Sequence, residues 1–212
     1  MKRRSFLSSV VAVSALPLFK PVLVRAFNKD EYIYPKALKR GDTVGIIAPG
    51  TAVTDPDQMD KALEALTYFG LKTKFGKNVL KGEGYKTRTV DERLDDFHSM
   101  FRDKDIAGVF CLRGGYGSAQ LLDKIDYGMI KNNPKVFIGY SDITAMHLAI
   151  NKLSKLITFH GPVLLSGFSN YTADYFSKAL FIKNPIGKIE NPVSKSGIRL
   201  VHPTRIIKPG KA

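Results

Sequence analysis

The sequence predicts a three-layer α/β domain, a parallel sheet with helices on both faces. Three observations carry that expectation. Short runs are apolar throughout instead of alternating, segments with helical spacing separate them, and glycine- or proline-containing turns close several of the runs.

The first run, Thr43-Val44-Gly45-Ile46-Ile47-Ala48, suits a strand buried on both faces and ends at Pro49-Gly50, a turn signal. From Asp57, the residues Met59, Leu63, Leu66 and Phe69 recur at helical spacing, and Gly70 follows as a C-terminal cap. Leu71 to Phe75 reads as the second strand, followed by a Gly- and Lys-rich loop through Tyr85. Residues 90–102 repeat the helical spacing at Leu94, Phe97 and Phe101, with Asp91 and Glu92 placed at the positive end of the helix dipole. Ile106 to Leu112 is a third buried strand, and the turn Arg113-Gly114-Gly115-Tyr116-Gly117-Ser118 leads to a helix expected over Ala119 to Ile125. Val136-Phe137-Ile138-Gly139 is a fourth strand. It runs into Tyr140-Ser141-Asp142, and a helix is expected from Ile143 to Leu153. Thr158-Phe159-His160-Gly161-Pro162 reads as another strand end, a helix follows over Ala173 to Ile182, and loop and short strand complete the tail from Pro185. There is no internal repeat.

The chain has 212 residues, enough for one compact domain with its own core, and carries 33 Lys and Arg against 19 Asp and Glu. So basic a balance raises nucleic-acid binding, but its distribution argues against that class. Five of the basic residues and none of the acidic ones fall within the first 26 positions. The others are interspersed with acids and do not form the aromatic-lined stripe that tracks phosphates. Lys2-Arg3-Arg4, the apolar stretch Phe6 to Leu18 and the small-residue site at Val24-Arg25-Ala26 read as an export signal over 1–26, resembling a twin-arginine signal. The stretch is too short and too interrupted to be a membrane span. Residues 27–39 are expected as a connector, 40–185 as the α/β domain and 186–212 as the start of a linker. Cys111, the single cysteine, excludes an intramolecular disulfide and a cysteine metal cluster, and its apolar neighbours make it a small buried hydrophobe. No metal or cofactor site is expected.

Function in open parallel sheets collects at the carboxyl ends of strands. Ser141 lies where a tight strand-to-helix bend forces a hydroxyl out over the sheet edge, and is the nucleophile candidate. Gly139-Tyr140-Ser141-Asp142-Ile143 has the first glycine of the hydrolase elbow G-x-S-x-G but lacks the second, so a helix N-cap remains the other reading. The glycines after Arg113 allow backbone amides to approach a ligand, as an oxyanion hole or an anion cradle requires. The pattern is neither a P-loop nor the dinucleotide fingerprint.

Taken together, Arg113-Gly114-Gly115-Tyr116-Gly117, Leu121-Leu122, Asp126-Tyr127, Ile138 to Ala145 and Thr158 to Pro162 resemble the LD-carboxypeptidases. This serine peptidase family includes muramoyl-tetrapeptide carboxypeptidase and microcin-immunity peptidases. Gly41-Asp42 and Ala48-Pro49 match at the first strand. The resemblance implies a doubly wound, flavodoxin-like sheet and a carboxyl-terminal β-rich domain. It implies that Ser141 attacks an amide carbonyl, with the Asp142 N–H and a glycine amide of Gly114 or Gly115 as the oxyanion hole. The implied substrate is a peptidoglycan stem peptide, cleaved between an L-centre and a terminal D-alanine. Arg113, Tyr116 and His160 are the substrate-side candidates.

A serine nucleophile needs a base oriented by a third group. In the family these are a histidine and a glutamate in the carboxyl-terminal domain. The tail ending at Ala212 offers no matched position, so the expectation is a truncated and inactive part of the enzyme. His147 is expected to point away from Ser141, His98 and His202 look peripheral, and His160 is read as structural or substrate-side. Nothing marks Glu190 as the orienting acid. Two rival classes stay open, an exported binding module for cell-wall peptides or anionic saccharides and a nucleotide-binding domain, and a homodimer is possible.

Overall fold

A computed structural model describes residues 31–82 and 88–190; the expected export signal at 1–26 and most of the expected linker at 186–212 lie outside them. Five parallel strands form one sheet: β1 (Thr43–Ile47), β2 (Lys72–Phe75), β3 (Ile106–Cys111), β4 (Val136–Gly139) and β5 (Phe159–His160). Their spatial order is β2-β1-β3-β4-β5, the flavodoxin-like order, in which the chain reverses direction across the sheet between β1 and β3. The helices are α1 (Pro56–Tyr68), α2 (Val90–Arg102), α3 (Tyr127–Asn132), α4 (Thr144–Ser154) and α5 (Asn170–Phe181).

Alternate residues of each central strand feed two separate cores, which is why these strands are apolar throughout. Val44, Ile46, Phe110, Leu112, Val136 and Ile138 face α1 and α5, through Leu66, Phe176 and Leu180. Ile47, Val109, Cys111 and Phe137 face the other helices, through Phe97, Phe101, Ile130, Met146 and Ile150. The expected three layers follow from this split. Cys111 is fully buried, and burial pushes its thiol pKa up.

Local sequence sets the helix starts. Asp55 accepts the Asp57 N–H at 3.0 Å ahead of Pro56, and Gly70 takes φ +69° just beyond α1. Thr89 and Glu92 form a reciprocal capping box at the start of α2, with bonds of 3.2 and 3.1 Å.

Two expectations need correction. The segment expected as a helix over 119–125 is a 3₁₀ stretch, Ser118–Lys124, ended by an extended Ile125 before Asp126 opens α3. The stretch starts at a left-handed Gly117 with no side-chain cap and stops where Ile125 turns extended, and short runs of this kind commonly take the tighter 3₁₀ form. The expected connector is also partly built into the fold. Ile33 bridges Leu156, and the buried Leu38 donates its N–H to Leu180 O at 2.8 Å.

Candidate active site

Three turns meet at the carboxyl ends of β1, β3 and β4. Tyr140 leaves β4 fully extended (φ −149°, ψ −176°), and Ser141 then turns left-handed at φ 62° before a short 3₁₀ segment leads into α4. A left-handed backbone costs an L-residue about 1–2 kcal/mol, so the bend is held by its surroundings. The result exposes the Ser141 side chain at the sheet rim.

The glycine turn packs directly on this bend. A methyl group at Gly114 would lie 3.1 Å from Ser141 Cβ, 3.2 Å from the Tyr140 carbonyl oxygen and 3.4 Å from Ser141 Oγ. Gly115 has φ +105°, and a Cβ there would strike Thr51 Oγ1 at 2.1 Å. Gly115 therefore admits only glycine, and a side chain at Gly114 would have to push the Ser141 bend aside by a few tenths of an ångström. Gly50, after β1, fits beneath the same junction, where a Cβ would meet both Asp142 Oδ2 and Gly114 O at 2.8 Å.

Hydrogen bonds lock the three turns together. Thr51 N–H donates to Gly114 O at 3.4 Å, and Thr51 Oγ1 accepts from Tyr116 N–H at 3.1 Å. Asp142 Oδ2 accepts from Ser118 N–H at 2.9 Å, while Ser118 Oγ donates to Asp142 O at 2.6 Å. The carboxylate next to the nucleophile candidate is thus a buckle between the β4 bend and the glycine turn. Behind it, buried Arg93 on α2 donates through Nη1 to Pro49 O (2.7 Å) and Gly117 O (2.8 Å) and through Nη2 to Gln120 Oε1 (2.7 Å). Arg88 bonds Ala48 O and Val79 O. Burial lowers the pKa of both guanidiniums, and Asp142 opposes that shift at Arg93.

The sequence marks Pro49-Gly50-Thr51 and Arg113 to Ser118 as strand ends carrying unusual residues but gives Thr51 and Ser118 no role there, and sequence reasoning missed Arg88 and Arg93. A signal for Arg93 was present, since it shares the stripe of Phe97 and Met100 at i, i+4 and i+7, where a cation is out of place.

His147 is buried on α4 and faces inward. Its Nε2 donates to Gly139 O at 2.9 Å, so Nδ1 accepts from Thr158 Oγ1 at 2.9 Å. Burial lowers its pKa. His160 is exposed at the end of β5, its ring 6.5 Å from that of Tyr140. His98 accepts the Asp126 N–H at 3.0 Å. Among the described residues, no side chain hydrogen-bonds the Ser141 hydroxyl. Glu190 engages Tyr171 and Tyr175 through its backbone.

Ser141 opens into a cleft of about 470 Å³ lined by Gln58 and Lys61 of α1, Arg113, Gly114, Gly115 and Tyr140, with Val163 and Leu165 as its apolar side. Arg113 therefore joins the site, whereas Tyr116 is 79% exposed and His160 is not among the lining residues. Among the described residues, no group of three or more His, Cys, Asp or Glu is arranged to hold a metal ion, and no helix is long and apolar enough to cross a membrane.

Comparison with known proteins gives this geometry a context. The profile of the LD-carboxypeptidase N-terminal domain matches residues 44–161, more than half of the chain. A Bacillus subtilis (strain 168) protein named "Probable murein peptide carboxypeptidase" is 48% identical over 130 residues, covering 61% of this chain and 40% of that protein. The murein tetrapeptide carboxypeptidase of Pseudomonas aeruginosa is 38% identical over 121 residues, covering 57% and 39%. Among solved structures, an MccF-like protein from Bacillus anthracis str. Ames superposes with a TM-score of 0.67 at 32% identity, covering 70% of this chain and 47% of that one. The match thus spans about two fifths to one half of each relative's length. The bend, the glycine turn and the sheet order that hold them all fall in the matched region, and the chain belongs to the LD-carboxypeptidase family.

Proposed function

We infer that this chain carries the nucleophile and oxyanion hole of a serine carboxypeptidase acting on peptidoglycan stem peptides in the cell envelope, to which residues 1–26 direct it. The bond cleaved is the amide between an L-centre and a terminal D-alanine. One observation carries the reading: Ser141 is held left-handed at the strand-to-helix bend, with Gly114 packed against it.

The chemistry follows from that geometry. The Ser141 oxygen adds to the amide carbon as its proton passes to a base. The carbonyl oxygen becomes an oxyanion, held by the Asp142 N–H and a glycine amide of Gly114 or Gly115. Two donors fixed in advance suit a charge that forms only in the transition state, and losing one typically lowers turnover about 100- to 1,000-fold. Collapse expels D-alanine, whose nitrogen takes up the proton. Water then hydrolyses the acyl-serine and restores the hydroxyl. By family resemblance the base is a histidine oriented by a glutamate, both from a carboxyl-terminal domain. The names of the murein carboxypeptidase relatives support the substrate class.

The test is labelling by an aryl fluorophosphonate, together with hydrolysis of an L,D-tetrapeptide by the chain carrying its complete carboxyl-terminal domain. Ser141→Ala is expected to abolish labelling and to lower hydrolysis by about four to six orders of magnitude. Undiminished hydrolysis would remove Ser141 from the mechanism. Saturable peptide binding without labelling of the wild-type serine would favour a binding module.

A further inference from the structure

We propose that Lys61 and Arg113, assisted by the Gln58 amide, form the subsite that holds the free α-carboxylate of the substrate's terminal D-residue. The proposal rests on the reading of Ser141 as nucleophile and adds a specificity-determining pair to it.

A carboxypeptidase has to distinguish a chain end from an internal peptide bond. In the substrate itself that difference is one negative charge, on the carbon next to the Cα that bears the scissile nitrogen. The cleft at Ser141 offers its complement, because the residues lining it include two cations and no acid. The two cations come from different elements, Lys61 from α1 and Arg113 from the turn after β3, and converge on one space.

Both are also uncommitted. The nearby buried arginines spend their Nη donors on carbonyl oxygens, Arg93 on Pro49 and Gly117 and Arg88 on Ala48 and Val79. Arg113, half-buried, forms no hydrogen bond or ion pair among the described residues. Lys61 is exposed and likewise unpaired, although Asp57 and Glu64 share its helix at i−4 and i+3. A planar guanidinium fork suits a carboxylate, and an ammonium on a flexible stem adjusts to it from the other side. Val163, buried, and Leu165 supply an apolar surface of the kind an alanine methyl group requires.

The test is binding by this chain, which does not depend on turnover. N-acetyl-L-lysyl-D-alanine and its C-terminal amide are titrated against the wild type and against Lys61→Met, Lys61→Arg and Arg113→Met, by NMR or calorimetry. The acid should bind about tenfold or more tightly than the amide, as expected for hydrogen bonds to a charged group. Each methionine variant should lose most of that preference while its affinity for the amide stays unchanged, and Lys61→Arg should retain it. Neither side chain is part of a core, so melting temperatures should hold. Equal affinity for the two peptides, no saturable binding of the acid, or a preference that survives both methionine variants overturns the subsite. Fluorophosphonate labelling of Ser141, measured on the chain joined to a carboxyl-terminal domain, needs no carboxylate and separates the two readings. Labelling without acid preference sinks the subsite alone, whereas acid preference without labelling sinks the nucleophile alone.

Discussion

Arg93 shows how a buried residue outside the cleft lining can set the geometry of the candidate site. Its Nη1 bridges Pro49 O after β1 and Gly117 O in the glycine turn, so the two turns that flank the Ser141 bend share one donor. Arg93→Met keeps the aliphatic stem and removes every donor, leaving carbonyls in a buried setting short of a partner at a cost of about 1–3 kcal/mol. The glycine turn should then relax away from Ser141. Acylation and kcat are expected to fall about 10- to 100-fold with KM little changed, because the turn's amide matters most when the oxyanion forms. Arg93→Lys, which reaches one carbonyl, should recover part of the rate. A loss confined to KM, or full labelling by the fluorophosphonate well below the melting temperature, would reduce Arg93 to a fold-stabilising role. At this scale Ser141 and its glycines were legible because a bend and a close approach restrict residue type. Thr51 and Ser118 were legible only as members of their strand-end turns, and their latching bonds were not, because single hydroxyls carry no spacing signal.

At the scale of elements, α2 and α3 are joined by a histidine that works only when neutral. His98 on α2 accepts the Asp126 N–H at 3.0 Å, and Asp126 in turn caps α3 by accepting Met129 N–H at 2.8 Å. Burial lowers the His98 pKa below its ordinary 6.5, and Arg102 lowers it further, against weaker opposition from Asp126 and Asp95. The unfolded chain therefore takes up the proton first. Stability from this group is complete above about pH 6.5 and is lost as pH falls from there toward the lower folded-state value. The melting temperature should drop between pH 7.5 and 5.5, with buried His147 acting in the same direction. His98→Gln, which keeps an acceptor that does not titrate, should show a smaller drop; an identical drop would place the proton elsewhere. The sequence announced α1 and α2 through their caps and their apolar spacing. It hid α3, because six residues containing Gly128 are too few to display a period, and it disguised 118–124, where Asp126 begins a new helix before a regular one can form.

For the whole molecule, the apolar runs made a doubly covered parallel sheet legible, since only strands buried on both faces can dispense with polar residues. Strand order is a long-range property that periodicity does not encode. The sequence reading went no further than a doubly wound, flavodoxin-like class, and the observed order puts the β1 and β3 turns at the switch point, with the Ser141 bend beside them. Among the described residues, none is placed as a base on Ser141. His147 is committed to Gly139 and Thr158, and no described side chain bonds the hydroxyl. An oxyanion hole with no base still gives roughly 1,000- to 10,000-fold catalysis over water, while loss of a triad histidine costs about a millionfold. The 212-residue chain should therefore hydrolyse an L,D-tetrapeptide slower, by about four to six orders of magnitude, than the same chain joined to the carboxyl-terminal part of the Bacillus subtilis relative. Single-turnover acylation of each form measures the difference. His160→Ala and His202→Ala should leave the slow rate of the 212-residue chain unchanged. If instead this chain alone matches the joined protein and His202→Ala silences it, the base lies in its own tail, and the proposal of a downstream histidine falls.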